Sequence, residues 1–328
     1  MQIDLRTVSI KPLRNTFDHI AKRLGSDKPA SRYMEGTMDL QAVTNFHYRP
    51  LWDPKHTIFD AGRTAIGMKD WYALKDPRQF YYGTYTMARA KMQEASEENF
   101  NFVEERGLAE RLPNAVRDLA LQVYVPLRHV EWGANMNNMS ICAYGYGTAI
   151  TQACNYHGMD RLGNAQYLTR LGLVLGDVET IQVAKKDWLE GVMWQELRHF
   201  VEDTFVVSDW FELFVATNFV LDGLMYPLVY QHIDRVIDER GGPAVSLMTR
   251  FQTAWFDETT RWVDSCIKVA AAESPANKEK VSSWINAYRN RALKSLAPIA
   301  KHALGANSTA IMESIELALN ARAAKCGI

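Results

Sequence analysis

From Asp76 to the C-terminus, apolar residues recur at three- and four-residue spacing with few breakers, the pattern of amphipathic helices. Asp76-Pro77 marks a helix start, and Tyr81, Tyr82, Tyr85, Ala88 and Met92 continue it to about Glu105. Arg106-Gly107 and Leu112-Pro113-Asn114 interrupt the pattern. A further helix is expected from Asn114 to Tyr144, with Val116, Leu119, Leu121, Val125 and Val130 facing a core. Pro126 inside it predicts a kink, because proline removes a backbone hydrogen bond and crowds the preceding turn. The same period predicts helices at about 149–175, 178–207, 209–240, 244–271 and 278–305, and a last one ending near Lys325. Ser208-Asp209 with Glu212 reads as a helix cap, and Gly241-Gly242-Pro243 as a sharp corner. The economical reading is an all-α chain with one large bundle core.

Residues 1–75 are different. They are rich in turn residues and aromatics and show no sustained helical period, so they read as an extended N-terminal arm ahead of a helical domain over 76–328. Tyr33, Phe46, Tyr48, Trp52 and Phe59 cannot form a core of their own there and need a cover, which is either the bundle or another chain. With Phe80, Tyr81 and Tyr82 just beyond the arm, Tyr33, Phe46, Tyr48 and Trp52 are the candidate subunit-interface residues.

Composition narrows the classes of function. The 37 Lys and Arg balance 38 Asp and Glu, so no bulk positive field exists to hold nucleic acid or an anionic membrane. The four cysteines form no CxxC pair, which suits reduced thiols in a cytoplasm, and the N-terminus lacks the apolar segment of a secretory signal. The most apolar stretch, 205–230, is long enough to suggest a membrane span, but Asp209, Glu212, Asn218 and Asp222 interrupt it. It reads as a helix buried inside the bundle.

A helical bundle with ionisable residues on its most apolar helix raises the chemistry of a carboxylate-bridged di-iron site. Such a site takes a Glu from each of two helices and Glu-x-x-His from each of two others, because a three-residue step places carboxylate and imidazole on one inward face. Of eight histidines, only His199 has a glutamate three residues before it, Glu196 in WQELRHF. The Asp53 and His56 pair contains Pro54 and lies in the arm. His129 has Pro126 at its partner position, and one half-site cannot hold two metals. No GxSxG elbow, phosphate-cradling glycine loop or GxGxxG is present.

Several blocks carry a resemblance: ASRYMEGTMDLQAVTNFHYRPLWDP, DPRQFYYGTY, VPLRHVEWGANMNN, WQELRHFVEDTFVVSDWFELFVATNFVLDGLMYPLVY and TTRWVD. Together they resemble the β subunit of bacterial multicomponent phenol hydroxylases, over nearly the whole chain. The resemblance implies a ferritin-like helical bundle with extra helices and no cofactor in this chain. It implies a larger homologous α subunit holding the di-iron site, a small γ subunit and a dimer of αβγ units. A regulatory protein and a flavin and iron–sulfur reductase would dock on the complex, which would hydroxylate phenol or a similar arene with O2 and NADH-derived electrons. By position, the family's ligands would fall at Pro126 and His129, at Asp222, and at Asp257 and Thr260, a degenerate set without catalytic or metal-binding residues. The alternative is a self-contained di-iron oxidase or ferritin-like iron-binding protein using Glu196, His199, His129, Asp222 and Glu258.

Overall fold

The computed structural model describes residues 16–26, 28–43 and 49–328, and among them no strand occurs. Two short helices lie in the N-terminal arm, α1 (Asp18–Leu24) and α2 (Arg32–Glu35). The bundle follows with α3 (Tyr82–Glu105), α4 (Asn114–Tyr144), α5 (Thr148–Leu175), α6 (Val178–Glu190) and α7 (Val192–Thr204). The apolar stretch is α8 (Trp210–Glu239), and α9 (Pro243–Met248), α10 (Arg250–Glu273), α11 (Pro275–Leu304) and α12 (Ser308–Lys325) complete the chain. This is the all-α, ferritin-like bundle that the spacing and the resemblance led us to expect.

Three element boundaries differ from the expectation, two of them for an evident local reason. The first long helix starts at Tyr82 instead of Asp76, because Gln79 adopts a left-handed φ of 54° that no α-helix accommodates. The stretch 178–207 is two helices broken at Gly191, whose backbone is extended (φ −67°, ψ 126°); a Cβ there would sit 2.6 Å from the Asp187 carbonyl oxygen, so only glycine fits. The stretch 244–271 divides at Thr249 between α9 and α10. Helix α4, by contrast, is α-helical without interruption through Pro126.

Helices α4 and α5 form an antiparallel hairpin in which small residues let the backbones approach. A Cβ on Gly158 would meet the Met139 side chain at 2.4 Å, and the Gly158 carbonyl accepts a 2.7 Å hydrogen bond from Asn135 Nδ2. Helix α8 runs inside the bundle, with 94% of its apolar window covered by the rest of the chain. Phe211, Phe214, Phe219 and Leu224 on it are fully buried, each worth roughly 1.5–3 kcal/mol of transfer free energy. It is the helix of a packed core, as its interrupting polar residues suggest. Asp209 caps its start, accepting from Phe211 N at 2.9 Å and Glu212 N at 3.0 Å. Two π-helical segments, Val215–Leu221 and Leu228–Ile233, lie within α8, the second directly after Pro227, which offers no backbone N–H.

The arm is less extended than its sequence suggests, and much of it is fastened to its own bundle. Ile66, Trp71 and Leu74 belong to the main core, while Ile20, Met38, Tyr72 and Ala149 make a smaller one. Thr148 Oγ1 donates to Thr37 O at 2.6 Å, Gly147 N to Gln41 Oε1 at 2.9 Å, and Ala65 N to Asp209 Oδ2 at 2.6 Å. Tyr33 is buried and its hydroxyl accepts from Asp76 N at 2.9 Å. Phe80 is also buried, with the Arg78 and Arg89 guanidiniums 4.7 and 5.4 Å from its ring centre. Tyr33 and Phe80 are therefore covered within the chain, while Tyr81 is half-buried and Trp52 and Tyr82 stay exposed at 74% and 72%. Phe46 and Tyr48 lie outside the described residues.

Candidate functional site

Four polar residues of α8 fall at four-residue steps, Asn218, Asp222, Tyr226 and Tyr230, all buried and all in contact with the α4–α5 hairpin. Asn218 exchanges two amide hydrogen bonds with Asn138 of α4, at 2.9 and 3.0 Å. Tyr226 donates to Glu131 Oε1 of α4 at 2.8 Å and accepts from Asn164 Nδ2 of α5 at 3.2 Å. The Tyr230 ring lies 5.7 Å from that of Tyr124. A helix that is otherwise hydrophobic thus carries a polar ladder whose Asn218, Asp222 and Tyr226 rungs are hydrogen-bonded across the hairpin, while the Tyr230 hydroxyl is buried without a partner.

At the middle of the ladder sits Arg161 of α5, with no exposed side-chain surface. Its Nη1 donates to Glu131 Oε2 at 3.0 Å, its Nη2 to Asp222 Oδ2, and its guanidinium lies 4.6 Å from the Trp255 ring of α10. One cation therefore joins four helices. Burial works against its charge, but Asp222 and Glu131 outweigh burial and hold its pKa above the ordinary arginine value. Burial pushes the Asp222 carboxyl up to about 7, Arg161 opposing the shift and Glu131 adding to it. Gln252 of α10 is buried three residues before Trp255, and neither of its amide atoms has a hydrogen-bond partner.

A second ionic network lies beside the first. Asp160 accepts from Arg89 Nε and Nη2 at 2.8 Å each, from Tyr85 OH at 2.9 Å and from Trp255 Nε1 at 2.9 Å. Arg89 also reaches Glu258 at 2.9 and 3.0 Å, and Arg78 joins Glu258 to Asp76. Burial pushes the Glu258 carboxyl up, yet the two arginines prevail and hold it below the usual range. Each carboxylate in the two networks is taken by an arginine.

Of the positions the resemblance pointed to, the structure brings only Asp222 into this core. Pro126 is buried within α4. His129 turns outward: its ring stacks on Trp188 at 5.6 Å, and it lines an open groove of about 460 Å3 with Trp132, Leu162 and Leu173. Burial, with Arg128 and Lys185 nearby, lowers its pKa to about 4. Asp257 is exposed, and Thr260 donates to its own helix at Phe256 O, 2.7 Å away. The buried face of α10 instead carries Gln252, Trp255, Thr259 and Trp262.

The residues of the self-contained di-iron alternative are scattered. Glu196 pairs with Lys294 at 3.1 Å on the surface, His199 is exposed, and Glu258 belongs to the arginine network. Asp53 and His56 do meet, at 2.9 Å, but Asp53 is shared with Arg63 at 2.6 Å. Among the described residues no group of three or more His, Cys, Asp or Glu is arranged to hold a metal ion. Sequence reasoning missed Glu131, Arg161, Asn164 and Gln252. Their signal was a charged or amide side chain on a stripe that helical period assigns to the core.

Comparison with known proteins agrees with this architecture. The family model for methane, phenol and alkene hydroxylases matches residues 52–274. The oxygenase component DmpL of the phenol 2-monooxygenase of Pseudomonas sp. (strain CF600) is 47% identical over 330 residues, covering all of this chain and 98% of that one. The corresponding MhpL component from Acinetobacter pittii (strain PHEA-2) is 42% identical over the same shares. The crystal structure of xenon-pressurised phenol hydroxylase from Pseudomonas sp. OX1 contains a chain that superposes with a TM-score of 0.92 at 44% identity, covering 99% of this chain and 98% of that one. With an all-helical bundle, two buried arginine–carboxylate networks and relatives matched end to end, this chain belongs to the methane/phenol/alkene hydroxylase family, alongside the oxygenase components of phenol monooxygenases.

Proposed function

We propose that this chain is the non-catalytic structural β subunit of a multicomponent di-iron aromatic hydroxylase, and that the iron resides in a larger α subunit. The observation that carries this reading is the Arg161 guanidinium held between Glu131 and Asp222. A carboxylate-bridged di-iron site needs a carboxylate from each of two helices and i, i+3 carboxylate–imidazole pairs from two more. Glu131 on α4 and Asp222 on α8 supply the first requirement. At the i, i+3 positions stand Arg161 and Asn164 on α5, and Gln252 and Trp255 on α10, all buried. These four positions replace Pro126, His129, Asp257 and Thr260 as the proposed degenerate site. The donor set does not fit two irons, because a fixed cation already neutralises the carboxylates and no imidazole stands at the i, i+3 positions; the buried His157 is packed on Trp255 and Trp262 instead.

The chain in this reading braces the α subunit, with a small γ subunit completing an αβγ unit that pairs into a dimer in the cytoplasm. A regulatory protein and a flavin and iron–sulfur reductase serve the assembly, which inserts one oxygen atom from O2 into phenol or a related arene. Elemental analysis of the separated subunits tests the proposal: iron is expected with α only. Two irons retained by this polypeptide would overturn it.

A further inference from the structure

We propose that Arg161 is the residue that excludes metal from this chain, and that without its cationic side chain the core becomes a site for a hard divalent cation. The inference rests on the non-catalytic reading above and adds a mechanism to it. Glu131 and Asp222 approach one another from different helices with side chains 0% and 4% exposed, and Arg161 bonds both. Two carboxylates at that depth require a counter-cation, and a broken buried ion cluster leaves a charge without compensation. The guanidinium supplies the charge and fills the space between the carboxylates, so it competes with a metal ion for both.

The surrounding atoms point to the class of ion. Asn164 Oδ1 and both amide atoms of Gln252 are buried and have no hydrogen-bond partner in the protein, and Asp222 Oδ1 is likewise unpaired. With the Glu131 carboxylate, Asn164 and Asp222 give a set of oxygen donors without thiolate, while the buried imidazole of His157 lies one helical turn before Arg161, stacked on Trp255 at 4.8 Å. Such a set suits Mn2+ or Ca2+ better than zinc or copper. Trp255 stacks on the guanidinium and offers no ligand.

Mn2+ is the probe, with the purified full-length chain and, for comparison, Arg161→Ala, Arg161→Gln and Arg161→Ala combined with Glu131→Gln and Asp222→Asn. The wild-type chain should leave Mn2+ free in solution, as read by its paramagnetic resonance signal, and its melting temperature should not respond to millimolar Mn2+. Arg161→Ala should melt lower in EDTA, take up a single Mn2+ per chain and gain several degrees on doing so. The triple variant should lose that uptake. Arg161→Gln keeps most of the side-chain volume and is the variant to read if Arg161→Ala gives no folded protein in EDTA. Folded Arg161 variants that leave Mn2+ free overturn the proposal, as do variants that Mn2+ cannot restore to the fold, or equal uptake by the triple variant. Uptake by the wild-type chain that Glu131→Gln abolishes would instead overturn the non-catalytic reading itself.

Discussion

Arg161 Nη1 meets Glu131 Oε2 at 3.0 Å with neither side chain exposed to solvent. A buried pair of this kind is costly to break and cheap to replace. Arg161→Ala or Glu131→Ala should therefore lower unfolding free energy by roughly 3–5 kcal/mol, whereas Glu131→Leu, Arg161→Met and Asp222→Leu together should be about neutral or stabilising. Guanidinium chloride unfolding followed by circular dichroism measures both. A triple variant clearly less stable than wild type would show that the ions contribute net stability.

Much of the fold was legible because helical period is a local property. Val116, Leu119, Val125 and Val130, read as core-facing, are buried and place α4 correctly, α5 falls within a residue of its expected range, and the buried α8 follows from its length and its polar interruptions. The breaks at Gln79 and Gly191 were harder, since a single φ angle or a single close carbonyl decides them. The site was only half legible. A search for histidines with a carboxylate three residues before them selects Glu196 and His199, which lie on the surface. Glu131 and Arg161 lie on the buried faces of α4 and α5, but their meaning lies in each other, across two helices, and no spacing along the chain expresses that contact.

Glu196 and His199 should accordingly be dispensable for chemistry. His199 is exposed, and the Glu196–Lys294 pair joins side chains 45% and 71% exposed, where ion pairs contribute about 0–1 kcal/mol. The double variant Glu196→Ala/His199→Ala should leave iron content and turnover of the assembled hydroxylase unchanged. Loss of iron with assembly intact would contradict this.

His129 and Asp222 should tilt stability against pH in opposite directions. His129 titrates near 4 in the folded chain against about 6.5 unfolded. The unfolded chain binds the extra proton between those values, so the stability from His129 is present above about 6.5 and lost as pH falls toward 4. Asp222 is raised from 3.8 to about 7, so its contribution is present below about 4 and lost as pH rises through about 7. Melting temperatures of His129→Gln should therefore fall less than wild type on acidification from pH 7 to 4.5. An identical slope for both chains would mean that His129 is not held neutral by its packing on Trp188.

The structure divides the candidate interface residues of the arm into two groups. Tyr33 is tied to Asp76, and Thr37 and Gln41 are tied to Thr148 and Gly147, so this part of the arm closes over its own bundle. Leu51 and Trp52 project beside it with 95% and 74% of their surface exposed, and Tyr82 at the start of α3 with 72%. Large aromatics left in water on a subunit of a larger assembly are the residue type that dominates interfaces, where truncating one at a contact centre costs about 2 kcal/mol or more. Deleting residues 1–60 should lower the melting temperature of the isolated chain, because it removes Ile20, Met38 and the hydrogen bonds just named. Leu51→Ser with Trp52→Ser should leave that temperature within about 1 °C of wild type, as surface substitutions do, yet weaken co-purification with the larger subunit. Normal assembly by the double variant would remove the Leu51–Trp52 corner from the interface, and a large fall in melting temperature would mean that the corner packs on its own chain.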